Sequence, residues 1–238
     1  MLLGMRWVAP RGTMNGMGDH LVHIGEVIVN AIVFDPKNGE RLRTMDLNNL
    51  LQSVQRLFDL LEEREVPYVL VGGIAMLVYV EGRNTQDIDL IVPRDALENL
   101  PEIVIEDDNL DFARAKLDEL QVDLLFTHND LFNTVAKNHT VTKQFVERSI
   151  PCATVEAIIM LKLFALPSLY RQGRFEKVDL YQNDVLRLLR EFDPDMEPVF
   201  AELARHMLPS DLEELRKIVA GIEEEIAQAR HRFGNGEH

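Results

Sequence analysis

The 238-residue chain has one cysteine, one tryptophan, and 25 lysines and arginines against 40 aspartates and glutamates. A lone cysteine, Cys152, excludes an intramolecular disulfide framework and suits a reducing cytosol; with no thiol-activating group near it in sequence, it reads as a core residue. A net charge of −15 leaves few cations to neutralise phosphates, which argues against a long nucleic-acid footprint. A short footprint stays open, such as an RNA end entering a local basic cleft formed by Arg83, Lys162 and Arg174. Long apolar runs are also missing: the longest, Val66 to Val80, is interrupted by Gly72 and Gly73 and is too short to span a membrane. The first residues hold no apolar region adequate for a signal peptide. The expectation is a cytoplasmic protein with no membrane partner.

What the chain does have is a glycine pair and a carboxylate pair within one short stretch. The apolar run Tyr68 to Val71 ends at Gly72 and Gly73, and a second apolar run to Val92 carries Asp87 and Asp89. The spacing predicts strand, glycine turn, helix and strand. Side chains alternate faces along a strand, so Asp87 and Asp89 point one way while Ile88 and Leu90 point into the opposite layer. Two carboxylates that close repel unless a cation lies between them. Hard oxygen donors suit Mg²⁺, usually with phosphate oxygens completing its shell, so a nucleotide is the natural companion. Glycines let the backbone approach a phosphate closely, and the helix after them would aim free N–H groups at it. An in-line displacement using two ions about 3.5–4 Å apart needs ligands on both sides of the pair. Asp123 is the candidate third ligand, because an aspartate in the apolar run 120–126 is costly without a cation or partner.

In this order, Gly72-Gly73, Asp87-x-Asp89 and a later strand Asp123, the chain resembles the nucleotidyltransferase superfamily of the polymerase-β type, over roughly Met45 to Arg190. Gly-Gly-x-Ala at 72–75 and Arg-x-Thr-x-Asp-Ile-Asp-Leu at 83–90 look like the small bacterial and archaeal proteins grouped near the AbiEii toxins of toxin–antitoxin systems. The resemblance implies an α/β (α+β) fold, a mixed sheet flanked by helices with a C-terminal helical lobe. It implies transfer of a nucleoside monophosphate from an NTP to a hydroxyl of an RNA end or a protein, with release of pyrophosphate. Asp87, Asp89 and Asp123 would then be the catalytic ligands of two Mg²⁺ ions, or Mn²⁺, and Gly72, Gly73, Arg83 and Lys162 would bind the nucleotide. A cognate antitoxin or toxin protein is the implied partner. Lys162 lies in Leu-Lys-Leu-Phe-Ala-Leu; in relatives such a lysine faces the nucleotide, and the competing reading is a lysine snorkelling to solvent. Relatives also carry Lys-Asp-x-x-Asp further on. Here Asp184 fits the second acid, Tyr181 stands where the first would fall, and Asp179 lies two residues earlier. Arg174 and Lys177 could touch a nucleotide, but read more simply as solvated charges. Two rivals remain: an enzyme modifying an aminoglycoside-like small molecule, and a non-catalytic nucleotide-binding or antitoxin-like module.

The organisation expected is an N-terminal extension over 1–44, a nucleotidyltransferase core over 45–150 and a helical lobe over 151–238. Residues 1–44 are rich in glycine early (Gly12, Gly16, Gly18), then strand-like from His23 to Phe34, suggesting an extra hairpin or an extension ahead of a start near Met45. Asp46 reads as the cap of a helix reaching Glu65, with a core stripe from Leu47 to Leu61. Glu106 to Asn109 reads as a turn, with Asp107 and Asp108 as turn formers, and His128 and His139 as surface residues. Helices are expected over 154–166, 176–191, 195–206 and 210–231. The apolar face of the last (Leu212, Leu215, Ile218, Val219, Ile222, Ile226) would pack on the core or pair with a second subunit.

Overall fold

The computed structural model describes residues 21–43 and 45–234. The glycine-rich start of the expected extension lies outside the described residues. From His23 onward the chain is a helix, α1 (Ile24–Val33), and not a hairpin strand. The His23 ring accepts from the Glu26 N–H at 3.2 Å and caps it, and Ile24, Ile28 and Ile32 recur every four residues, all fully buried. α1 packs on α2 (Leu47–Glu63), so this segment belongs to the core. The α2 cap is Asp46, whose carboxylate accepts from the Asn48 N–H at 2.9 Å and, more loosely, from that of Asn49.

Among the described residues, seven strands form one mixed sheet: β1 (Val69–Val71), β2 (Asp87–Val92), β3 (Val104–Asp108), β4 (Phe112–Leu117), β5 (Leu120–Phe126), β6 (Thr140–Gln144) and β7 (Ser149–Ala153). Their spatial order is β3-β4-β5-β2-β1-β7-β6. β2 runs parallel to β5 and β1 parallel to β7, while the remaining neighbours are antiparallel. The architecture is therefore α/β with a mixed sheet flanked by helices. β3 overturns the expected turn at Glu106–Asn109. Asp107 and Asp108 sit on an exposed edge strand, Asp108 paired with Arg94, and the turn begins at Asn109, whose side chain accepts from the N–H groups of Asp111 and Phe112. β7 runs through the expected boundary at 150, so the sheet continues to Ala153. Cys152 is fully buried on it, opposite Leu70, and burial pushes its thiol up to about 12.

The helices that follow the sheet strands are α3 (Gly72–Met76), α4 (Asp130–Asn138), α5 (Val155–Arg171), α6 (Phe175–Phe192), α7 (Met196–Leu203) and α8 (Pro209–Gly234). The last four make the C-terminal lobe, with α5 packed on α6 and α7. Leu215, Val219, Ile222 and Ile226 of α8 are buried, and α8 packs on α6 and α7. Its apolar face is thus used within the chain, which removes the reason to expect a homodimer through it. No helix among the described residues is long and apolar enough to cross a membrane.

Candidate active site

β2 is central in the sheet, and its period of two puts Asp87 and Asp89 on one face, half-buried, while Ile88 and Leu90 are fully buried on the other. The parallel pairing with β5 sets Asp123 directly opposite Asp89. One carboxylate oxygen from each of Asp87, Asp89 and Asp123 lies within 4.8 Å of the others. Three acids that close disfavour full ionisation. Burial first, then the charges of Asp87 and Asp123, push the Asp89 carboxyl up to about 8. Each acid is also held in place. Thr85 donates to Asp87 at 2.7 Å; the Gly73 N–H faces Asp89 Oδ2 at 3.4 Å; Arg114 Nε and Gln121 Nε2 face Asp123 Oδ1 at 3.3 and 3.4 Å. All-oxygen donors converging with one arginine, Arg114, against Asp123 leave three carboxylates under-compensated and fit a hard divalent ion such as Mg²⁺ or Mn²⁺.

The two glycines pack directly against the carboxylate cluster. Gly72 has φ +67°, and a Cβ there would stand 1.8 Å from Asp89 Oδ2; one at Gly73 would stand 2.6 Å from Thr85 Oγ1. Both absences make room for the carboxylates and their support. α3 is a short helix of five residues, and its Gly73 N–H is directed at Asp89.

A cavity of ≈ 780 Å³ opens on the triad, walled by the sheet below and by α5, α6 and the α7–α8 connection above. Of the expected site residues, Gly72, Asp89, Asp123 and Lys162 line it; Asp87, Gly73 and Arg83 are not part of that wall. Lys162 does not snorkel. It is 4% exposed, its Nζ is 2.6 Å from Asp184 Oδ2 and sits 4.5 Å from the centre of the Tyr181 ring. Burial lowers the Lys162 ammonium, and the Asp184 charge opposes that shift. Arg83 faces the same carboxylate, Nε to Oδ2 at 3.3 Å, and so braces Asp184 where a nucleotide contact was expected. Asp184 is fully buried with its Oδ1 free of hydrogen bonds, and it holds the cavity-lining Lys162. Tyr181 lines the cavity, and burial followed by Asp89 and Asp87 raises its phenol. Arg174, which is exposed, and Lys177, which is half-buried, also line the wall, so these solvated charges face the cavity. Sequence reasoning missed Arg114, for which the alternation Phe112-Ala-Arg-Ala-Lys116 was the available signal. It also missed the apolar wall, whose members Phe112, Phe132, Phe164 and Met207 come from four separate elements and carry no local motif. His128 is exposed and His139 half-buried, both away from this cavity wall.

No protein-family model matches the sequence, and no curated protein does. Among solved structures, the antibiotic-resistance factor ANT(2'')-Ia in solution is 15% identical, with 79% of this chain and 100% of that chain covered and a TM-score of 0.45. A crystal structure of the same factor with adenylyl-2''-tobramycin gives 14%, 72% and 95%, and 0.41. An antigenic nucleotidyltransferase-like protein from Paracoccidioides brasiliensis gives 15%, 70% and 91%, and 0.42. Likenesses this remote assign no activity to the chain.

Proposed function

We propose that this protein is a divalent-metal-dependent nucleotidyltransferase that moves a nucleoside monophosphate from an NTP to a hydroxyl acceptor and releases pyrophosphate. The observation that carries the reading is the convergence of Asp87, Asp89 and Asp123 within 4.8 Å, the last two lining a cavity whose wall also bears Lys162, Arg174 and Lys177. Asp87, Asp89 and Asp123 are the residues that would hold Mg²⁺ or Mn²⁺. When bound, such ions neutralise phosphate charge and orient an in-line displacement. Lys162, fixed by Asp184 and Tyr181, offsets the charge of the transferring phosphoryl group, and Lys177 and Arg174 receive the outer phosphates. Gly72 keeps the carboxylate of Asp89 free of a side-chain clash, and Gly73 does the same for the Thr85 that orients Asp87. Asp123, tied to Arg114 and Gln121, is placed to accept the acceptor's proton.

The test is incubation of wild type and Asp89→Ala with each α-³²P-labelled NTP, Mg²⁺ and a whole-cell extract. Transfer by wild type, with the variant reduced at least about 100-fold while its circular dichroism is unchanged, is the expected result. Equal labelling by both proteins would remove the triad from the chemistry. Nucleotide binding with no turnover by either would leave a binding module.

A further inference from the structure

We infer that the half of the cavity beyond Asp123 is an acceptor pocket for a small molecule whose hydroxyl is carried on an apolar, uncharged body, an aromatic or hydrocarbon alcohol. This rests on the transferase reading above and adds the acceptor's chemical class to it.

The strand order divides the cavity. Gly72 follows β1 on one side of the carboxylates, and β5 then β4 lie on the other. The cations gather on the first side: α6 reaches the connection between α3 and β2 through Arg83–Asp184 and Arg187–Gly82, and it carries Lys177, the Tyr181 ring under Lys162 and the Asp184 that holds Lys162. An anionic triphosphate belongs there.

Two residues along the strands from Asp123 and Arg114, and on the same face as each, come Leu125 and Phe112, themselves paired in register. Phe132 of α4 meets Phe164 of α5 edge to face, with ring centres 6.0 Å apart, and all four line the wall. Outside the triad, the one acid on the described wall is Asp211, which Arg171 holds at 2.5 Å. A polycation would lose its hydration here and find no unpaired carboxylate in return. A nucleic-acid strand would need free cations along its backbone, whereas Arg114 and Arg171 on this side are ion-paired. An apolar ring or chain instead leaves water for aromatic faces, at no electrostatic cost.

Asp123 stands at the junction of the two halves, so a hydroxyl presented from the apolar side meets it first. The acceptor oxygen forms a bond to the α-phosphorus, and the bond from that phosphorus to the bridging oxygen of the β-phosphate breaks. Pyrophosphate leaves with that electron pair, and the hydroxyl proton passes to Asp123.

The experiment labels an extract of the source cells with wild-type protein, Mg²⁺ and α-³²P-NTP, then separates small molecules retained on a reverse-phase column, polycations retained on a cation exchanger, RNA and protein. Label in the reverse-phase fraction is expected, with Phe112→Ala raising the KM for that purified acceptor about tenfold while the KM for NTP stays within twofold. Phe112 is half-buried, and circular dichroism of Phe112→Ala matching wild type verifies that the fold is kept. Label confined to polycations, RNA or protein would overturn the inference, as would a Phe112→Ala effect on NTP alone. If no label moves anywhere, the transferase reading has failed, and the pocket is judged by equilibrium dialysis with 2-naphthol. Binding weakened about tenfold by Phe112→Ala would support the apolar pocket, and unchanged or absent binding would overturn it.

Discussion

At Gly72 the missing Cβ matters more than backbone freedom alone. Its φ of +67° already disfavours any side chain, and the space a Cβ would fill is held by the Asp89 carboxylate. Gly72→Ala should therefore abolish divalent-ion binding, read by Mn²⁺ titration, and cut transfer by about 100-fold or more. Gly73→Ala displaces only Thr85, so Asp87 loses its hydrogen bond and a milder loss, roughly tenfold, is expected. Equal effects at both glycines would contradict this division. Lys162 and Asp184 make a second residue-level case. The pair is buried at 2.6 Å, and removing one member strands a charge. Asp184→Leu should destabilise by about 3 kcal/mol, because it strands both Lys162 and Arg83, and Lys162→Met combined with Asp184→Leu by less, because only Arg83 is then left facing no acid. A double-mutant cycle by urea denaturation checks it, and additive losses would show that the two side chains are not coupled.

The elements that could be read from sequence are those whose pattern is local. The strand, glycine turn and Asp-x-Asp strand share one short stretch, and α2 announces itself by an Asp46 cap and a helical stripe. The convergence of Asp123 with Asp89 was legible because a lone acid in an apolar run demands a partner, although only the β2–β5 register shows that they are directly opposed. α1 was misread because its isoleucines and valines are strand formers, and only burial reveals that Ile24, Ile28 and Ile32 form a helical face. β3 was missed because its exposed acids resemble a turn; an edge strand has no buried alternation to disclose it. The roles of Arg83 and Tyr181 depend on α6 folding back over α5, which no local spacing records. If α1 is core, Ile28→Ala should cost about 2–4 kcal/mol in chemical denaturation, well above what a peripheral hairpin would show.

For the molecule as a whole, the charge balance links ion binding, stability and pH. The chain carries a net −15, and three of its acids meet in the triad, so the fold bears an electrostatic burden that a divalent ion relieves. The Asp89 carboxyl, ordinarily near 3.8, stands at about 8 in the folded chain. Between those values the folded state keeps a proton that the unfolded state has lost. Stability is therefore greatest below the unfolded value, falls as pH rises through this window, and levels off above about 8. Ion binding must displace that proton, so its stabilising effect runs the opposite way, small at pH 5 and largest near pH 8. Saturation at about 100 times Kd supplies roughly 2.7 kcal/mol by mass action. For a chain of this length that is roughly 5–10 °C in Tm. Thermal melts with and without Mn²⁺ at pH 5, 6, 7 and 8 should show the increment growing with pH. In Asp89→Asn, the metal-free protein should lose this pH slope and the ion its effect. An ion-induced shift that is constant with pH, or that survives the substitution, would place the bound cation somewhere other than the triad.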